Sequence, residues 1–169
     1  ELDEFIRLFS NNKLPNKIIF SGQKGIGKTT LCYHLINFIL SKDEEYSYDV
    51  NNYEISQENK SFKLIQNGSN PNFSLIDIKP DKKFIDIDQI RNLIQNLNKS
   101  SFNQKPKFVL IDNIEFLNLS SINALLKSLE EPNINIHFFL INNNKNILDT
   151  LKSRCLNYKI FLSNQKTIE

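Results

Sequence analysis

A chain of 169 residues with 40% hydrophobic and 24% charged residues has the length and balance of one globular domain that can bury a core without disulfides or metals. No apolar run approaches the roughly 20 residues that a membrane-spanning helix needs, so no membrane partner is expected. The net charge of +2 is too small to argue for nucleic-acid binding by the isolated domain, and it leaves contact through an assembly open.

Cys32 and Cys155 lie far apart and form no Cys-x-x-Cys pair, so neither a zinc module nor a disulfide framework is expected, and a reduced, cytoplasmic setting fits. The acidic start Glu1-Leu2-Asp3-Glu4 has the wrong charge for a signal peptide. The absence of methionine, the initiator included, leads us to expect that the 169 residues belong to a longer polypeptide. Asn, Lys and Ile are abundant throughout, which reads as a compositional bias of the genome and not as a functional tract.

Leu2, Phe5, Ile6 and Phe9 have helical spacing and predict an amphipathic helix over residues 2–11. Lys17 to Ser21 is a short run of β-formers, as in a strand covered on both faces, and Gly22 to Gly27 is a glycine-punctuated loop. Helical spacing returns from Lys28 through Leu31, Leu35, Phe38 and Ile39. Residues 42–61 are polar and aperiodic and read as a loop or irregular insertion, and a short helix is predicted over Ser61 to Gln66.

The turn signal "NGSNPN", Asn67 to Asn72, delivers the chain into a predicted second strand, Phe73 to Ile78. Asp86 and Gln89 form a capping-box pattern ahead of Ile90, Leu93, Ile94 and Leu97. A third strand is read at Lys107 to Ile111 and a fourth at His137 to Ile141. Between them Ile122, Leu125, Leu126 and Leu129 line a helix that Pro132 stops, with Lys127, Glu130 and Glu131 toward solvent. A helix around Ile147 to Lys152 and a last strand near Tyr158 to Phe161 complete an alternation of strands and helices. That alternation argues for an α/β fold with a mostly parallel sheet and helices on both faces.

"GQKGIGKT", Gly22 to Thr29, satisfies G-x-x-x-x-G-K-[ST] directly after a strand and at the start of a helix. The bland alternative is a glycine turn without a ligand. Small residues let backbone N–H groups wrap a polyphosphate, and the helix N-terminus adds partial positive charge. Gly22, Gln23, Lys24, Gly25, Ile26, Gly27, Lys28, Thr29 and Thr30 are therefore the candidate nucleotide-binding residues. Lys28 is expected at the β- and γ-phosphates and the Thr29 hydroxyl on Mg²⁺. The implied cofactors are ATP or ADP with Mg²⁺. Cys32 reads as a small buried residue.

Asp112 ends an apolar strand, where a carboxylate can hold Mg²⁺ opposite Thr29; the alternative is a helix N-cap. Asn113 follows where many ATPases carry a glutamate. An amide can position a water but cannot accept its proton. Glu115 is expected to point elsewhere, so intrinsic hydrolysis is expected to be slow or absent.

"SSINALLKSLEEP", Ser120 to Pro132, followed by "SRC", Ser153 to Cys155, resembles the bacterial clamp-loader ATPase modules of the AAA+ superfamily. "NGSNPNF", "IDIDQIRNLIQNL" and "IDNIEFLN" are each similar to segments of the delta-prime type of DNA polymerase III clamp-loader subunit, with the gamma/tau type as a near relative. The resemblance covers nearly all of residues 1–169 and implies a three-layer P-loop fold with a five-stranded sheet. Helical lid and collar domains are expected beyond Glu169. It also implies a ring with gamma/tau and delta subunits that places the sliding clamp on primed DNA. In such modules the arginine of the Ser-Arg-Cys segment reaches the γ-phosphate bound by a neighbouring subunit, and Arg154 is the matching position.

By itself Arg154 reads as a surface arginine or a member of a local ion pair. The departures are Gln23 for a usual proline, Asn70 for a histidine, the missing zinc cysteines and a truncated adenine-side segment. The resemblance implies a γ-phosphate sensor in the region of Asn142, Asn143 and Asn144, with no single residue assigned to it. The competing functions are an actively hydrolysing gamma/tau-type subunit, a small P-loop kinase, and an interaction module with a vestigial loop.

Overall fold

A computed structural model describes residues 1–98, 103–130 and 135–161. Five strands, β1 (Lys17–Ser21), β2 (Phe73–Ile76), β3 (Lys107–Ile111), β4 (Ile136–Asn142) and β5 (Leu156–Lys159), form one sheet. Its order is β2-β3-β4-β1-β5, and every pairing is parallel. The helices are α1 (Leu2–Ser10), α2 (Lys28–Leu40), α3 (Lys60–Gln66), α4 (Ile87–Leu97), α5 (Leu119–Glu130) and α6 (Asp149–Lys152). A short 3₁₀ turn, Ile114–Phe116, follows β3.

The sheet is buried on both faces because its strands alternate two sets of apolar side chains. Ile19, Val109, Ile111, Phe138 and Leu140 pack on α4, α5 and α6 through Ile90, Leu93, Ile122, Leu125 and Leu151. Ile18, Phe20, Phe108, Leu110, Phe139 and Ile141 face Phe5 of α1 and Cys32, Leu35, Ile36 and Leu40 of α2. Cys32 is thus a small core residue, as its setting in the sequence indicates. The three layers follow from this two-sided demand for cover.

Most element boundaries agree with the sequence pattern, and the differences have local causes. β2 stops at Ile76, not Ile78, because the Ile78 amide turns back onto Asp77 Oδ1 at 2.7 Å. The last strand runs over Leu156–Lys159 and not from Tyr158 to Phe161; as an edge strand it is mostly exposed, so its apolar pattern is weak. The helix expected from Ile147 is a single turn beginning at Asp149, while α1 ends one residue early at Ser10. β4 extends one residue further at each end, and α3 begins at Lys60 with the Asn59 side chain accepting from the Phe62 amide.

The Asp86–Gln89 capping box is present, and the Gln89 side chain also donates to the Asp77 carbonyl, which fixes the start of α4 against the end of β2. Residues 42–59 are turns with one isolated bridge, Asp49 to Glu54. Lys127 and Glu130 are exposed as expected, whereas Glu131 and Pro132 lie outside the described residues. No helix among the described residues is long and apolar enough to cross a membrane.

His137 of β4 is only 6% exposed, stacks on Phe108 with ring centroids 5.2 Å apart, and leaves Nδ1 without a partner. Burial pushes its pKa down, against a smaller upward pull from the Pro15 backbone. His34 is also shifted down by burial. Below the ordinary imidazole pKa the unfolded chain takes up protons that the folded chain resists, so stability falls as pH drops from there toward the depressed folded value. The urea midpoint is expected to decline between about pH 7 and about pH 5, and His137→Phe should flatten that decline while His34 retains its share. Denaturation curves of the two proteins across this range check it.

Candidate functional site

The carboxyl ends of β1, β3 and β4 meet where the chain changes direction across the sheet. α2, which follows β1, covers one face, and α5, which follows β3, covers the other. Ligands of open parallel sheets sit in the crevice such a reversal leaves. The glycine loop lies there. Gly22 is wedged so tightly that an added Cβ would stand 2.6 Å from Ile26 Cδ1 and 2.7 Å from the Ile160 carbonyl oxygen. Gly25 and Gly27 have φ of +86° and +90°, the left-handed region that glycine enters without steric cost.

The loop leads straight into α2, whose first residue is Lys28. Its side chain is 3% exposed, and its Nζ donates to the carbonyls of Gly22 at 3.0 Å and Gln23 at 2.6 Å. Burial lowers its pKa, while the charges of Asp112 and then Glu115 pull it back up. Thr29 Oγ1 donates to Asp112 Oδ2 at 2.9 Å, joining the start of α2 to the end of β3. Gln23, Lys24, Gly25, Gly27 and Thr30 are exposed, and Ile26 is half-buried. The structure therefore brings the sequence-predicted Lys28, Thr29 and Asp112 together.

Asp112 does not cap a helix: its Oδ1 accepts from the Asn113 amide, and the residue at the N-cap of the 3₁₀ turn is Asn113 itself. Asn113 adopts a left-handed conformation, φ 55° and ψ 50°, which asparagine tolerates better than most residues. Its Nδ2 donates to Asp77 Oδ1 at 2.8 Å, and its Oδ1 accepts from Asn143 Nδ2 at 2.9 Å. The same Asn143 nitrogen donates to Glu115 Oε1 at 2.9 Å.

The sequence reading that turned Glu115 away from the site is therefore wrong. A helical continuation from Asp112 would send it elsewhere, but the left-handed Asn113 reverses the chain and brings the carboxylate back over the end of β4. Among the three asparagines there, Asn142 closes a local turn onto Lys145, Asn144 is exposed with φ +57°, and Asn143 alone reaches the β3 end. Asp77 was also missed. The available signal was simple: each is a polar residue directly after, or one turn beyond, an apolar parallel strand.

Arg154 lies apart from this cluster, just after α6. Its Nε and Nη2 donate to Glu130 Oε1 at 3.0 and 2.5 Å, and Nη1 donates to the Thr150 carbonyl at 2.9 Å. Glu130 is more than half exposed, and such a surface pair contributes about 0–1 kcal/mol, so another anion could replace it at small cost. A cavity of about 810 Å³ runs along β2 between Ile65, Leu75 and Asn96 and includes none of the glycine loop. Lys79 and Lys107 line that cavity without a carboxylate, whereas a buried ammonium, a hydroxyl and a carboxylate meet at the loop, so the loop is the better candidate for chemistry.

The order of the sheet, with the loop after β1 and the acid after β3, defines a three-layer α/β protein with a P-loop motif after its first strand. Residues 1–163 match the family described as "DNA polymerase III, delta subunit", and the chain belongs to that family. It is 30% identical over 161 residues to DNA polymerase III subunit gamma of Buchnera aphidicola subsp. Schizaphis graminum, covering 95% of this chain and 42% of the relative. Subunit delta' of the same organism is 30% identical over 164 residues, with 96% and 48% covered. The delta' subunit of Pseudomonas aeruginosa is 31% identical over 136 residues, covering 80% and 40%.

The chain thus spans less than half the length of these relatives. A gamma-subunit-related protein of Thermotoga maritima shares the fold with a TM-score of 0.63 at 21% identity, covering 97% of this chain and 47% of that one. The RuvB Holliday junction branch migration motor of Thermotoga maritima shares it at a TM-score of 0.53 and 14% identity, covering 94% and 42%.

Because Gly22 sits against backbone, Gly22→Ala must displace either the loop or the backbone at Ile160, just past β5. A destabilisation of roughly 1–3 kcal/mol is expected, as for other overpacked sites. Urea denaturation of the variant checks it.

Proposed function

We propose that this domain is the nucleotide-binding part of a clamp-loader subunit of the delta-prime type. In this reading it binds ATP or ADP with Mg²⁺, hydrolyses slowly, and offers Arg154 to a neighbouring subunit. The observation that carries the reading is the convergence of Lys28, Thr29 and Asp112 beside an amide, Asn113. A buried ammonium, a hydroxyl and a carboxylate are the donor set that a magnesium polyphosphate needs, since Mg²⁺ prefers hard oxygen ligands. Gly22 to Thr30 would hold the phosphates, with Lys28 toward the β- and γ-groups and Thr29 and Asp112 toward the metal. Bound Mg²⁺ would supply charge neutralisation on the phosphates.

The chain's own turnover is slow in this reading because both ends of the Asn113 amide are committed to Asp77 and Asn143, and an amide does not take a proton from water. The other subunits, gamma/tau and delta, together with the sliding clamp and primed DNA, are the proposed partners of the full-length protein. They rest on the family and on relatives longer than this chain. The second reading is an actively hydrolysing gamma/tau-type subunit, and the observation in its favour is the position of Glu115.

The experiment is DNA-stimulated ATP turnover by the reconstituted clamp loader from the same organism, carrying the full-length chain with Arg154 or Arg154→Ala. The variant is expected to lower turnover at the neighbouring site by roughly 10³-fold or more while the ring still assembles. Unchanged turnover by an intact ring would overturn the trans-acting role.

A further inference from the structure

β2 is an edge strand, paired with β3 alone, and its other side opens onto the cavity of about 810 Å³. The Asn72 carbonyl accepts from the Phe108 amide at 2.7 Å, and the Ile76 carbonyl from the Asp112 amide at 2.9 Å. In a parallel ladder alternate residues turn both backbone groups toward the same neighbour. Asn72, Ser74 and Ile76 therefore face β3, while Phe73 and Leu75 face the cavity. The Phe73 amide is taken up by the Asn70 carbonyl at 3.3 Å, which leaves the Phe73 carbonyl and both backbone groups of Leu75 toward the cavity.

The cavity lies where a sixth strand would lie. Both helical layers run on past β2: Tyr33 of α2 and Ile65 of α3 line one wall, and Leu93 and Asn96 of α4 the other. Leu75, on the same side of the strand as Phe73, is 47% exposed. Edge strands are commonly guarded by a charge or a proline, and Phe73-Ser74-Leu75-Ile76 carries neither. The charges stand beyond its carboxyl end instead. Lys79 lines the cavity, and the Lys82 amide turns back onto the Lys79 carbonyl at 2.9 Å. Lys79, Lys82 and Lys83 are exposed and pair with no carboxylate among the described residues, and no carboxylate lines the cavity.

We propose that β2 takes up an extended segment of a partner protein as a sixth strand. Alternate apolar side chains of that segment lie against Tyr33, Ile65 and Leu75, and its carboxylates stand at the Lys79 end. Backbone hydrogen bonds to Phe73 and Leu75 supply affinity, and the lysines select acidic sequences. This surface is separate from the glycine loop and does not depend on a nucleotide there.

The probe is an end-capped heptapeptide that alternates valine and threonine and carries two glutamates at one end. It is made in both polarities, with a control in which lysines replace the glutamates. Binding to the full-length chain is followed by fluorescence anisotropy, and hydrogen exchange reads residues 73–77. The acidic peptide of one polarity is expected to bind roughly tenfold or more tightly than its lysine control, to weaken with salt, and to slow exchange at the Leu75 amide. Methylating alternate peptide nitrogens should abolish binding along one edge of the peptide and spare it along the other. Leu75→Pro removes the outward amide without touching the β3 ladder and should weaken binding roughly tenfold, with its urea midpoint reporting the fold.

No binding, equal binding of the lysine control, or binding that survives methylation along either edge would overturn the proposal. A Leu75 amide already protected in the free full-length chain would overturn it too, because the slot is then filled from within that chain.

Discussion

Everything in this domain depends on a parallel sheet that is covered on both faces. Because apolar layers occupy both sides of β1, β3 and β4, the polar side chains that these strands deliver to the site gather beyond their ends. Gly22, Asp77, Asp112 and Asn143 all stand there, each just past an apolar run. The Thr29–Asp112 hydrogen bond then ties the two strands that matter most, since it joins the helix launched by β1 to the terminus of β3. The cluster is thus a by-product of the same hydrophobic constraint that builds the layers.

Within the cluster, asparagine does structural work that the residue type permits and a glutamate would do less well. A left-handed residue is needed at position 113 to turn the chain from β3 into its 3₁₀ turn, and asparagine tolerates that conformation at lower cost than most side chains. Its amide has both a donor and an acceptor, so it bridges Asp77 and Asn143 simultaneously. A carboxylate there could accept from Asn143 but would repel Asp77. The carboxylates around position 113 therefore stand to either side of an amide hub, one just past β2 and one on the turn after β3.

Much of this was legible beforehand. The alternation of β-forming runs and helical spacing gave the order of elements, and the glycine loop with Asp112 gave the candidate site, because both signals depend on residues adjacent in sequence. The Asp86–Gln89 cap was legible for the same reason. Glu115 was not. Its direction depends on one backbone conformation at Asn113, and its partner, Asn143, is far along the chain on another strand. The edge strand β5 was misplaced because exposure on one side removes the apolar pattern that marks a central strand. Arg154 reads from the sequence as a surface arginine or a member of a local ion pair; it does form an ion pair, but the partner, Glu130, comes from α5, far from it in sequence.

The position of β1 in the sheet has a consequence for how the chain acquires its structure. β1 is the first strand in the sequence, yet its two neighbours are the last two: Ser21 stands opposite Asn142 on one side and Lys159 on the other. Closing those pairings means bringing together segments separated by most of the chain, the kind of non-local ordering that slows folding. During synthesis β1 and the glycine loop behind it emerge early but cannot be framed until β4 and β5 arrive. The frame of the site is thus completed by the last strands made, although its most recognisable residues are made first.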